Sequence, residues 1–576
     1  MFKDGLTTLA GTLAALDTAL ASDTKPDPAP DAFRAARTAY KHIEGLFLYY
    51  VPIQASNING PRAEIDDDAP DAPLRSTPIG FQVVEAALFD GSVTRDSARV
   101  ELAHMRRVLE QLRAVTRDNP IEPRAMLDAA RLQLTRTTVL GLAGFDADPS
   151  GDGVVEAAAS LDGVRALLGA LGDSSAASRS ADTLLRAAAA DLRAHPDFAT
   201  YDRLRFIASF ANPIGRELTA MQQSVGEPAP GPRRLWRSSA GTPFVADAFD
   251  PTALAPAHAR PSTPALTSLG ERLFVDQRLS GNGGRSCATC HVTTKAFTDG
   301  LSRATPLPGR SDRLRNTPSL VNVAFEPSLF AEGRARSLET QVGTVLESPA
   351  EMASSVDKVA ALVNGDERYR AEFAAAMPDR KGAPITGLEI RQVIAVYLRS
   401  LTAFDSRFDR AARGDSAAVS AEERRGFNLF MGRGKCATCH FVPLFNGVVP
   451  PEYRSAEAEV IGVPARADLS RPKLDDDVGR TNVEDIPNNR FAFKVPGLRN
   501  VALTAPYMHN GVFTTLDQVV DFYDRGGAAG LGLDLPNQTL SSAKLKLSAE
   551  EKSDLVAFLR SLTDTTSAHR QTLVAR

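Results

Sequence analysis

The pentapeptide CATCH occurs twice, at Cys287–His291 and at Cys436–His440, and the two copies hold all four cysteines of the chain. No thiol is left over for a structural disulfide. Two cysteines three apart share one face of a helical turn, and the next residue sets a histidine beside them. Three chemistries use parts of this pattern. A structural zinc site draws four ligands from two such pairs. A redox dithiol sits in a thioredoxin-like βαβ setting. Covalent haem attachment spends the thiols on the two vinyl groups and the histidine on iron. Only the last explains a histidine in the same place twice, each copy following a short helix and a glycine-containing loop. The pattern predicts two covalently bound c-type haems, held by Cys287, Cys290 and His291 and by Cys436, Cys439 and His440.

The surroundings of the two copies repeat as well. LGERLFVDQRLS and AEERRGFNLFMGRG precede them, and GLEIRQVIAVYLRSLTAF and SAEEKSDLVAFLRSLT close the two segments. Tandem units of one architecture account for this. Upstream, ARVELAHMRRVLEQLRAV and ADTLLRAAAADLRAH carry helical periodicity. The expected fold is mainly α: an N-terminal helical bundle (1–225), a Pro-rich linker or strap (226–265), and two tandem cytochrome c-like domains with long loops (266–415 and 416–576).

Charge is balanced, at −4 over 576 residues, which argues against nucleic acid or a membrane surface as the main partner. No apolar run reaches the ~20 residues of a spanning helix. Haem attachment of this kind takes place outside the bacterial cytoplasm, so a periplasmic location is expected. Residues 1–25 make a poor secretory signal, because Asp4 and Asp17 interrupt them. Leu6, Leu9, Leu13, Leu16 and Leu20 instead form one stripe of an amphipathic helix. Met1 therefore reads as the start of a chain whose signal lies outside this sequence, the alternative being cleavage at ALAS (19–22).

The sixth iron position decides the chemistry of each haem. Between His291 and His440 there is no histidine, and the methionines are Met352, Met377 and Met431. An open position at the first haem follows as the expectation. The stretches LGERLFVDQRLSGNGGRSCATCHVTTKAFTDG, RLRNTPSLVNVAF, FAEGRARSLETQVGTVLESPAEM and FKVPGLRNVALTAPYMHNGVFTTLDQVVDFYDRGG resemble the bacterial di-haem cytochrome c peroxidase/MauG family, over about 266–563 and in the family's order.

The resemblance implies a peroxidase whose His291 haem binds hydrogen peroxide, with Glu351 moving protons and Gln341 orienting the peroxide. A buried carboxylate suits that role, because burial raises its pKa toward the working range. Read without the family, Glu351 is equally an acid at a helix start after Pro349. Two departures stand out. The histidine that blocks iron in classical members is missing, and its neighbourhood reads TPLPGR (305–310). The family's inter-haem tryptophan is Ala331 here, with Phe330, Phe325 and Trp236 as other aromatics for that space.

At the second haem the resemblance places Tyr523 opposite His440, as in MauG-like members. A hard anionic donor favours the higher iron oxidation states and would let this haem store or relay electrons. Met508 is the rival ligand, and a core tyrosine on an amphipathic helix is the plainer reading of Tyr523. The resemblance also implies one calcium ion on Asn316 and the carbonyls of Thr504 and Pro506. Oxygen-only ligation fits calcium, while Asn316 alone reads as a turn cap before Pro318. The acids Asp475, Asp476 and Asp477 read as a solvated loop. Implied partners are peroxide and either a small electron-donor protein or an oxidisable protein substrate, and a homodimer is allowed. Oxidation of a partner protein in the MauG manner and a pure electron-transfer cytochrome are the alternatives.

TAYKHIEGLFLYY (38–50) and TPIGFQVVEAALFDG (77–91) faintly resemble the paired motifs of imelysin-like helical domains, with Gln82 where a histidine stands in that family. A metal site of His42, Glu44 and Glu85 is the expectation the resemblance adds, against ordinary bundle packing. His42 and Glu44, two apart, do not share a helix face.

Overall fold

The computed structural model describes residues 2–22, 24–60, 78–115, 121–226 and 234–564. The protein is mainly α-helical, and its contacts divide it into two compact units. One unit comprises residues 1–249, 410–443 and 449–453; the other comprises 250–409, 444–448 and 454–576.

The first unit is built on a leucine stripe. The helix Phe2–Leu20 buries Leu6, Leu9, Leu13 and Leu16 completely and Leu20 nearly so. Each such side chain contributes about 1.5–3 kcal/mol on leaving water. At the centre lies Pro123–Val139, in which every residue from Ala125 to Val139 is buried. A helix covered on all sides needs a mixed composition only if its polar groups find partners. They do so in part within a buried network that also draws on the helices Ala29–Lys41 and Gly153–Leu171. Close approach is made possible by Gly163, where a Cβ would lie 2.5 Å from the His42 carbonyl oxygen.

This arrangement is ordinary bundle packing and not the metal site that the faint resemblance suggested. His42 caps the end of Ala29–Lys41 with its side chain exposed. Glu44 is buried and accepts from Lys41, Gln133 and Arg136. Glu85 accepts from the Ser150 amide at 3.1 Å. The two glutamates take different hydrogen-bond donors, and the exposed His42 lies apart from both. The reason is visible in the backbone: His42 sits in the turn after its helix, which points it away from the bundle interior.

Residues 234–249 of the Pro-rich segment pack on this same unit. Leu235, Trp236, Phe244 and Phe249 are buried, and the Arg131 guanidinium lies 4.9 Å from the Trp236 ring. The helix Ala421–Met431 belongs here too, fixed by the Arg203 amide donating to Asn428 Oδ1 at 2.9 Å.

In the second unit, Pro264–Val275 packs on Gly387–Ser400 with Gly270 at the crossing, where a Cβ would sit 2.4 Å from the Val393 carbonyl oxygen. Leu338–Glu347 is fixed to the same helix by a buried, two-pronged Arg399–Glu339 pair at 2.9 and 2.9 Å. Much of the remainder is loop, stiffened by Ala458–Glu459 pairing antiparallel with Phe493–Lys494 and by a buried Arg499–Asp409 pair.

Candidate functional site

Cys287–Cys290 forms a single helical turn opened by a Ser286/Thr289 capping box. The chain leaves the helix at His291 (φ −102°, ψ 74°), which turns the imidazole out of the turn that carries the thiols. His291 Nδ1 lies 2.9 Å from the Phe297 carbonyl oxygen, an atom that can only accept. Nδ1 therefore holds the proton and Nε2 the lone pair, the arrangement that second-shell partners impose on ligating histidines. Burial lowers the imidazole's pKa despite the Phe297 and Pro318 carbonyls and Asp299, so the ring is neutral, as a ligand must be. Phe274 packs beside it at 6.5 Å between ring centroids.

The second copy has the same ingredients in a tighter turn. Lys435 takes a left-handed conformation (φ 54°) and Cys436–Thr438 forms a 3₁₀ turn. The His440 amide donates to the Cys436 carbonyl at 2.9 Å. Phe441 is fully buried, edge-on to Phe145 at 5.8 Å.

Both sites fit covalent haem better than the other two chemistries. Each unit contains one cysteine pair and no other cysteine, so a four-thiolate zinc site cannot form within either. Burial pushes the Cys287 and Cys436 thiols up to about 12, the opposite of the lowered pKa that a redox dithiol needs.

Glu351 is brought to the first motif. It lies on the turn that follows Leu338–Glu347, with its amide bonded to the Ser348 carbonyl at 3.1 Å. Its charge acts on both Cys287 and Cys290. Burial raises its pKa, and the Ser348 hydroxyl, Arg334 and Arg285 offset only part of that rise. Gln341 is half-buried on the helix Leu338–Glu347.

Arg285, two residues before Cys287, was not singled out by the sequence. Its guanidinium reaches the carbonyls of Glu351 (3.5 Å) and Pro306 (3.3 Å), and the Leu307 amide donates to the Ala350 carbonyl at 2.8 Å. The histidine-free TPLPGR segment is thus stitched to the segment that carries Glu351. The signal for Arg285 was its place just ahead of the motif, which one sequence cannot distinguish from a solvated cation.

Asn316 is held on both sides. Its amide nitrogen donates to the His509 carbonyl at 2.8 Å, and Nδ2 donates to the Leu301 carbonyl at 2.8 Å, which orients Oδ1 away from that carbonyl. Thr504 and Pro506 lie on the same loop as His509, and both are half-buried. His509 stacks on Phe493 at 4.0 Å and 11°, and the neighbouring Lys494 amide donates to the Ala331 carbonyl at 2.8 Å. Ala331 is therefore part of a small β-like contact. Phe330 lies under the Arg334 guanidinium at 3.4 Å, Phe325 meets Phe404 edge-on, and Trp236 is buried in the first unit.

The Asp475–Asp477 run is not a solvated loop. Asp475 is buried and receives Arg303 (3.2 Å), Arg313 (3.3 Å), His509 Nε2 (3.3 Å) and Asn510 (3.1 Å). Arg315 grips Asp477 with two bonds and, with the Gly479 amide, holds it down to about 2 against the effect of burial. Only Asp476 is exposed. Tyr523 sits half-buried on the helix Leu516–Asp524, edge-on to Phe522 at 5.8 Å; Met508 takes a left-handed conformation (φ 72°).

Comparison with known proteins converges on one group. Residues 264–417 match the family described as di-haem cytochrome c peroxidase. A methylamine utilization protein MauG from Methylorubrum extorquens is 35% identical over 309 residues, covering 53% of this chain and 80% of the relative. A cytochrome-c peroxidase, IdrP2, from Denitromonas iodatirespirans is 32% identical over 335 residues, covering 56% and 88%. The crystal structure of a MauG-like protein associated with microbial copper homeostasis is 33% identical, with coverage of 53% and 91% and a TM-score of 0.46.

Proposed function

Because the chain belongs to the di-haem cytochrome c peroxidase/MauG family, an enzyme family whose members carry two c-type haems, we propose that it reduces hydrogen peroxide at the His291 haem. The observation that carries this reading is Glu351: a half-buried carboxylate with a raised pKa, beside the first thiol pair and backed by a segment emptied of histidine. When bound, the first haem supplies an iron at which the peroxide O–O bond is cleaved. Glu351 takes the proton from the near oxygen and returns it to the leaving oxygen. Gln341 orients the peroxide by hydrogen bonds. Arg285 positions the Glu351 backbone. His291, neutral and fixed through Nδ1, would hold the first iron through Nε2.

His440 and Tyr523 are proposed as the ligands of the second haem, which stores or relays electrons. Asn316, Thr504 and Pro506 are proposed as calcium ligands. The boundaries at 225, 265 and 415 and a periplasmic location complete the proposal. Among the described residues, no helix is long and apolar enough to cross a membrane. Electron paramagnetic resonance of the oxidised protein is the test. One high-spin ferric haem supports an open first site. Two low-spin haems reduce the protein to an electron-transfer cytochrome.

A second reading, oxidation of a partner protein, is favoured by the MauG relative. Mass spectrometry of co-secreted proteins after peroxide treatment separates it from reduction by a small electron donor.

A further inference from the structure

The buried polar network of the first unit lies outside everything assigned so far. Lys41, Glu44, Asp146 and Glu156 are each at most 7% exposed. Lys41 Nζ lies 2.9 and 3.1 Å from the two Glu44 oxygens, 2.7 Å from Asp146 Oδ2, and 4.0 Å from Glu156 Oε2. An ammonium has three donors, and three carboxylate oxygens meet them. Around this centre, Arg136 binds Glu44 and Asp146 (2.9 and 2.6 Å) and Arg37 binds Glu156 (2.6 Å). Three carboxylates (Glu44, Asp146, Glu156) therefore face three cations (Arg37, Lys41, Arg136), and the charges of these six groups cancel; Glu85 stands beside Arg37 and Glu156 and adds its own charge only when ionised. Thr137 lines the same small cleft with a buried hydroxyl that has no partner.

We infer that this is a cation site whose resident cation is the Lys41 ammonium, and that removing the ammonium leaves a site for a free monovalent cation of ammonium size. Four observations carry the inference. The acceptors around Nζ are carboxylate oxygens of two residues, one using both atoms. They stand at 2.7–3.1 Å, wider than the ~2.0–2.6 Å of zinc or calcium. With Glu85 protonated, a single positive charge completes the neutrality of these groups, whereas a divalent ion would exceed it. The orphan Thr137 hydroxyl offers one more oxygen to an ion free of the lysine stem. In the wild-type chain the unit thus folds around its own cation and needs no metal.

The test uses full-length, haem-loaded Lys41→Ala protein. Hydrogen exchange of peptides from Ala29–Lys41 and Pro123–Val139 is followed at fixed ionic strength in ammonium, potassium or tetramethylammonium chloride, with or without Mn²⁺. The expected result is several-fold faster exchange than wild type in tetramethylammonium, slowed again by ammonium and by potassium, with wild type indifferent to the cation. Lys41→Met, which fills the slot with an apolar chain, should gain nothing from ammonium. Exchange that is the same in all three salts overturns the proposal, as does rescue by Mn²⁺ alone or equal rescue of Lys41→Met. Elemental analysis of wild-type protein decides independently of any variant's folding. Manganese, zinc or copper at one per chain would mean that Lys41 is not the resident cation; their absence supports it.

Discussion

The Leu307 amide donates to the Ala350 carbonyl at 2.8 Å. One residue after Ala350 stands Glu351, and Leu307 belongs to the segment from which a histidine is missing. The bond therefore ties together the two segments on which the proposed peroxide site rests: the one that carries Glu351 and the histidine-free stretch 305–310.

Glu351→Gln keeps the shape and removes the proton carrier. The peroxide reaction should slow by about 10²–10⁴-fold, with both haems still attached, as read by stopped-flow absorbance. Burial is the leading cause of the raised Glu351 pKa, so the proton-accepting carboxylate accumulates only as pH rises through that raised value. Wild-type rate should rise with pH over that range, and the variant's residual rate should not.

Arg285→Ala removes the link between the first motif, Pro306 and the Glu351 backbone. Because Arg285 is one of the groups offsetting the Glu351 rise, the rising limb of the pH–rate profile should move to higher pH. Haem content should be unchanged.

Glu85 gives a pH dependence of stability. Burial, only partly offset by Arg37 and Ser150, raises its carboxyl from 4.5 to about 7. The folded state then binds more protons than the unfolded state between these values. Stability should fall as pH rises through that window and level off above about 7, by an amount on the order of 3 kcal/mol. Hydrogen exchange in the first unit measures this, and Glu85→Gln should abolish the fall.

The leucine stripe was readable because it is local: residues three and four apart reveal a helix face without knowledge of what covers it. Leu13, fully buried, should cost about 2–5 kcal/mol as Leu13→Ala, measured by denaturant unfolding of the first unit's helical signal. The haem motifs were readable for the same reason. The acids at 475–477 were not, because their partners Arg303, Arg313 and Arg315 lie 162 to 172 positions away. Burial of a charge depends on partners that spacing alone cannot supply. Lys41 was missed although it stands only three residues from Glu44, because the other partners of Glu44, Gln133 and Arg136, lie far along the chain. At Gln341 and Tyr523 the reading still rests on family resemblance.

If Asn316 holds calcium with Thr504 and Pro506, chelation should change the haem resonance spectrum, and added Ca²⁺ should restore it. Asn316→Ala should show the chelated spectrum without treatment.

The central claim, an open first haem that needs no reductive activation, is tested most directly by mixing peroxide with the fully oxidised protein and recording stopped-flow absorbance. An immediate spectral change is expected at stoichiometric peroxide, with no pre-reduction. A spectrum that stays ferric until the protein is first reduced would contradict it.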